Sequence, residues 1–104
     1  MAKYAIVVWH PGPNWLPDRT VFDQPLDEHV AYLEGLAARG IVFAAGPFTE
    51  GGGGMTLLRL DDPEVAQRLI ADDPAVQAGI ITGQLRTWST IVGGIEAGEG
   101  DAGD

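Results

Sequence analysis

The chain opens on an unbroken apolar run, changes to a helical spacing, returns to short apolar runs, and makes that change once more. Residues 3–9, KYAIVVW, are β-rich and apolar at both alternating sets of positions, which predicts a strand covered on both faces. Residues 10–25, HPGPNWLPDRTVFDQP, hold four of the seven prolines and read as a long loop. Loops of that length in small domains are often functional. From Pro25 the period is helical. At about 100° per residue, Leu26, Val30, Leu33, Leu36 and Ala37 gather on one side, and Glu28, Glu34, Ala38 and Arg39 lie mostly away from it. Pro25 fits the first turn, Asp27 and Glu28 suit the positive end of the dipole, and Gly40 ends the helix.

IVFAAGPF, residues 41–48, predicts a second strand with Pro47 at its end or on an edge. TEGGGG, residues 49–54, is a hairpin loop, and MTLLRL, residues 55–60, a third strand. DDPEVAQRLIA starts a second helix, with Asp62 as N-cap, Pro63 at N1 and Val65, Ala66, Leu69 and Ile70 as its buried stripe. The Asp-Pro device recurs at Asp73-Pro74, so a short extra helix follows, and residues 80–92 close with a fourth strand. The order β-α-β-β-α-β predicts a ferredoxin-like α+β domain, an antiparallel four-stranded sheet with both helices on one face. Because the first strand has no polar face, the sheet side away from the helices needs a cover. A second copy of the sheet is the simplest one, which predicts a homodimer.

Composition narrows the function classes. The 104 residues make one domain, expected over 1–93. Residues 94–104 form an acidic, glycine-rich tail without large apolar residues beyond Ile95, expected to be disordered. The net charge is −9, and the part before the last nine residues still carries eleven acids against six bases, so nucleic acid and anionic membrane surfaces are poor partners. No apolar run is long enough to span a membrane, and the first residues do not read as a signal peptide. Cysteine is absent, which excludes thiolate chemistry and disulfides and makes the cytoplasm the default compartment.

One residue disturbs the pattern: His29 falls between Leu33 and Leu36, inside the apolar arc of the first helix. Two readings fit it, a packed histidine bonded to a backbone carbonyl or an acid–base group facing a cleft. Other motifs fail. The glycines of residues 51–54 lack the Lys and Ser/Thr spacing of a phosphate loop. His10 and His29 without cysteine make a poor zinc site, their spacing gives no argument for a haem ligand, and Ser89 has no visible triad partners.

The stretch EHVAYLEGLAARGIVFAAGPF, the glycine-rich hairpin, and ADDPAVQAGIITGQLRTW together resemble the YciI-like (YCII-related) family of the dimeric α/β-barrel superfamily, over about Lys3 to Trp88. Three features carry the likeness: a His before AYL in the first helix, Gly46-Pro47 after the second strand, and Asp73-Pro74 before a small apolar helix. The resemblance implies a His–Asp pair lining a cleft, here His29 and Asp73, with elimination or isomerisation of a small ring compound. The pair needs neither metal nor cofactor. A carboxylate that fixes the tautomer of a buried imidazole makes it a better base. Asp73 is equally an ordinary N-cap, and a cap can still offer its second oxygen to a neighbour. As contacts to the small-molecule ligand we take His10, Trp15, Gly46, Pro47 and Phe48, although Phe48, like Trp88, also suits a core or an interface. Ala75 departs from the family pattern, in which an aromatic often follows the Asp-Pro pair, and implies a reshaped pocket.

Overall fold

The computed structural model describes residues 3–59 and 62–95. Strand β1 (Lys3–Pro11) lies at the centre of a four-stranded antiparallel sheet, followed by α1 (Asp27–Ala38), β2 (Val42–Pro47), β3 (Gly54–Leu58), α2 (Pro63–Ala71), the short α3 (Pro74–Gln77) and β4 (Ile81–Ser89). The sheet order is β2-β3-β1-β4. This is the ferredoxin-like α+β architecture that the element order predicts. A single 3-10 turn, Val21–Asp23, interrupts the proline-rich loop.

Local chemistry sets the boundaries. Asp62 and Asp73 both accept from the backbone N–H two residues on, at 2.9 Å in each case, and both precede a proline at N1. Each satisfies a helix donor that would otherwise lack a partner. Gly40 follows α1 at a φ of +78°, the left-handed conformation that ends a helix. Pro47 ends β2 on the sheet edge, where its missing N–H costs no ladder bond. β4 stops at Ser89, short of the expected residue 92, because Ser89 pairs with Lys3 at the start of β1. Ile91 and Val92 beyond it are exposed. The acidic tail expected over residues 94–104 lies outside the described residues from residue 96 onward.

The parity of β1 divides the molecule. Ala5, Val7 and Trp9 point toward the helices and join Leu36, Leu58, Ala66, Ile70, Ile80 and Ile81 in one core. Tyr4, Ile6 and Val8 point the other way. There Tyr4 meets the rings of Phe43 and Trp88, with ring centroids 5.3 and 6.0 Å away. Phe43 reaches that side through a bulge in β2, where the register shifts between Val42 and Ala44. None of the described helices is long and apolar enough to cross a membrane.

Trp9 is the largest side chain of the core, and its cross-strand partners are both glycines, Gly54 and Gly83. A Cβ on Gly83 would stand 2.8 Å from Trp9 Cζ3 and 2.8 Å from Ile70 Cγ2. The indole therefore occupies the space that a side chain at residue 83 would take. Gly83→Ala is expected to destabilise the fold by about 1–3 kcal/mol through overpacking. Urea denaturation measures the loss, and near-ultraviolet circular dichroism reports the displaced indole.

Candidate active site

The two Asp-Pro caps differ in the fate of their second carboxylate oxygen. Asp62 is exposed. Asp73 is 0% exposed, and its Oδ2 lies 2.6 Å from Nδ1 of His29 while its Oδ1 holds the cap. An ionised carboxylate only accepts, so Nδ1 of the imidazole carries the proton and donates it. In the neutral ring the lone pair is then on Nε2, the nitrogen turned away from Asp73. A hydrogen bond of this charge-assisted kind stabilises by about 1.5–3 kcal/mol.

Three elements hold the imidazole. It projects from the first turn of α1, Asp73 fixes one nitrogen, and the Trp9 ring stands edge-on to it at 5.0 Å and 85°. Trp9 is itself pinned, because its Nε1–H donates to Thr56 Oγ1 at 2.9 Å. Nearby, the Tyr32 hydroxyl donates to the Leu69 carbonyl at 2.8 Å. Burial first, and then the charges of Asp72 and Asp73, raise the Tyr32 pKa above its ordinary value, with Arg39 opposing. Tyr32 therefore stays protonated at neutral pH.

His29 lines a cleft of about 490 Å³, whereas Asp73 stands behind it and does not. That volume suits a small organic ligand. One wall is α1, through Leu26, Val30, Leu33 and Ala37. The apolar side of α1 is mostly left open to this cleft: of Leu26, Val30, Leu33, Leu36 and Ala37 only Leu36 is buried, and Val30 is 49% exposed. The facing wall is β2 from Val42 to Pro47, and buried Trp9, Thr56 and Ile81 contribute from the sheet.

The proline-rich loop closes a third side with Trp15, Val21, Phe22 and Gln24. It is firmly anchored. Gly12 N–H bonds the Ile80 carbonyl and Asn14 N–H bonds the Gly79 carbonyl, both at 2.8 Å. At the other end the buried Gln24 side chain accepts from Leu16 N–H at 2.7 Å and donates to the Leu16 and Arg19 carbonyls at 2.9 and 3.3 Å.

The structure thus brings His29, Asp73, Trp15, Gly46 and Pro47 to one place and leaves two expected contacts outside. His10 does not line the cleft: it follows Trp9 in β1, so its side chain takes the opposite sheet face, where it is exposed and lies 3.2 Å from Gln84 Oε1. Phe48 is 42% exposed, and its backbone N–H bonds Gly53 to close the hairpin, beyond the lining residues. Ala75 packs in the core at 4% exposure, so its departure from the family pattern does not reshape the cleft wall directly. Trp9, Phe22, Gln24 and Thr56 were not legible as site residues. Thr56 is a lone hydroxyl in an apolar strand, and Val21-Phe22 an apolar pair in a polar loop. Those are the only signals the sequence carries for them. Among the described residues no three His, Asp or Glu side chains gather to hold a metal ion.

Comparison with known proteins follows the same lines. The structure is similar to that of 5-chloro-2-hydroxyhydroquinone dehydrochlorinase from Burkholderia phenoliruptrix, solved in complex with 2,5-dihydroxybenzoquinone. The TM-score is 0.63 at 19% sequence identity, with 86% of this chain and 95% of that chain covered. No curated protein matches at a significant level. The YCII-related domain matches residues 3–88, which takes in the described strands and helices up to Trp88, one residue short of the end of β4, and both members of the buried pair, and the chain belongs to that family.

Proposed function

We propose that this protein is a small enzyme that moves a proton on a small cyclic or aromatic metabolite, leading to elimination or isomerisation, with His29 as base and then acid and Asp73 as the group that orients it. The observation that carries the reading is the buried 2.6 Å contact between His29 and Asp73 beside an apolar cleft. A neutral imidazole held by Asp73 at Nδ1 presents Nε2 to a bound ring. Proton transfer to Nε2 makes an imidazolium beside a carboxylate, a pairing that stabilises the charged ring as it forms. The proton can then return at another atom or leave to solvent while a leaving group departs. The likeness to a dehydrochlorinase solved with a ring diketone supports this chemistry for a chain of the same fold.

The proposal extends to a homodimer. Val8, Met55, Leu57 and Trp88 alternate onto the sheet face opposite the helices together with Tyr4 and Ile6, and Met55 and Trp88 are still 41% and 43% exposed. A second sheet packed on this face would bury them.

His29→Gln is expected to lower kcat by about 100- to 10,000-fold, the range of a lost general base. Asp73→Asn keeps a helix-capping oxygen but gives up the charge-assisted bond and no longer enforces the tautomer, so it should lose activity and also lower thermal stability by part of the roughly 1.5–3 kcal/mol that bond contributes. Screening halogenated and hydroxylated ring compounds by release of halide and by absorbance provides the assay. Saturable binding with no product, unchanged in His29→Gln, would make the protein a binding module instead. For the dimer, sedimentation equilibrium should give twice the 11.0 kDa chain mass, and Val8→Lys should shift it toward the monomer. A monomeric native protein refutes the assembly.

A further inference from the structure

Thr56 is 1% exposed, lines the cleft, and is the polar member of the sheet floor beside His29. Its oxygen accepts the Trp9 Nε1–H at 2.9 Å, and Trp9 in turn lies edge-on to the His29 ring. One indole therefore spans the two groups. A threonine hydroxyl has one hydrogen to donate as well as lone pairs to accept with. Among the described residues only the accepting half of Thr56 is used. A buried donor left over is costly unless something enters to take it, and the space next to it is the cleft. The indole N–H also polarises the hydroxyl, because an oxygen that accepts a hydrogen bond becomes a stronger donor.

We propose that Thr56 anchors the ligand: its hydroxyl donates a hydrogen bond to a carbonyl, phenolic or enolic oxygen of a ring seated against His29. This deepens the proton-transfer reading given above and rests on it for the chemical step. In that step a ring C–H next to a carbonyl, or a ring O–H, gives its proton to His29 Nε2. The electron pair of the broken bond stays on the ring and delocalises onto the oxygen, where the negative charge meets the Thr56 O–H. Charge then appears at two fixed points, positive on the imidazolium beside Asp73 and negative on the oxygen at Thr56. A hydroxyl already in position needs no solvent rearrangement when that charge forms. The arrangement selects an oxygenated ring over a plain hydrocarbon ring of the same size, since the second leaves the Thr56 donor without an acceptor.

The test measures binding rather than turnover, so it stands apart from the catalytic reading. The native protein, Thr56→Val and Thr56→Ser are titrated calorimetrically with 2,5-dihydroxybenzoquinone and, as the ring without oxygen, toluene. Each is also melted without ligand. Thr56→Val keeps the shape and removes the hydroxyl, so it should weaken quinone binding by about tenfold or more and leave toluene binding unchanged. Thr56→Ser should bind the quinone within about threefold of the native protein. Loss of the Trp9 hydrogen bond alone predicts a lower melting temperature for Thr56→Val and an equal effect on both ligands, and that result overturns the proposal. So does a native protein that fails to bind the quinone or prefers toluene. If Thr56→Val loses the quinone selectively while His29→Gln keeps full turnover, the anchor stands and the proton-transfer reading falls.

Discussion

The site depends on one carboxylate divided between two tasks. Asp73 holds the N-terminus of α3 with one oxygen and the His29 imidazole with the other, at 2.9 and 2.6 Å. A fully buried carboxylate is tolerable only when its lone pairs are taken up, and here the backbone takes one share and the ring the other. The consequence is positional accuracy. The cap ties the Asp73 side chain to its own backbone, so the oxygen facing His29 has little freedom to move. α3 packs against α1, and the same contact that joins these helices sets the direction of the imidazole. Asp62 has the same sequence signature and none of this role, because it lies on the surface.

Around that pair the protein builds an apolar chamber rather than a filled core. The α1 stripe that ordinarily seats a helix against its sheet is here largely open: Val30 is half exposed, and Leu33 and Ala37 face the cleft. The anchored loop closes the third side, tied at Gly12 and Asn14 to the residues just before β4 and at Gln24 to itself. An unfilled apolar surface of this kind on a small domain marks a binding site more often than a packing fault. Asp27 and Glu34 also line the cleft but are exposed, whereas His29 is the buried ionisable group among its lining residues.

How much of this was legible follows from how local each feature is. Both Asp-Pro caps, the glycine stop after α1 and the alternation of β1 are written within a few residues, and all appear in the structure as the pattern implies. Periodicity also identified the apolar side of α1. It carries no information about what stands opposite, so a cleft wall and a buried stripe read alike. The parity of β1 was sufficient to separate His10 from Trp9, since neighbours on a strand face opposite ways, but only once the helices were known to cover the Trp9 side. Thr56 and Gln24 were out of reach because their significance lies in partners 47 and 8 residues away. The pairing of His29 with Asp73 came from resemblance to a family, not from spacing.

The separation of that pair along the chain also has a kinetic meaning. His29 and Asp73 are 44 residues apart, with β2, β3 and α2 between them. Contacts of such sequence separation form only after a long stretch of chain has been closed and ordered. The imidazole therefore meets its carboxylate only where the chain between them is closed into the sheet and α3 is docked on α1. A nascent or partly unfolded chain carries both residues but not the contact between them. The pair is thus a product of the completed tertiary fold and of no local segment.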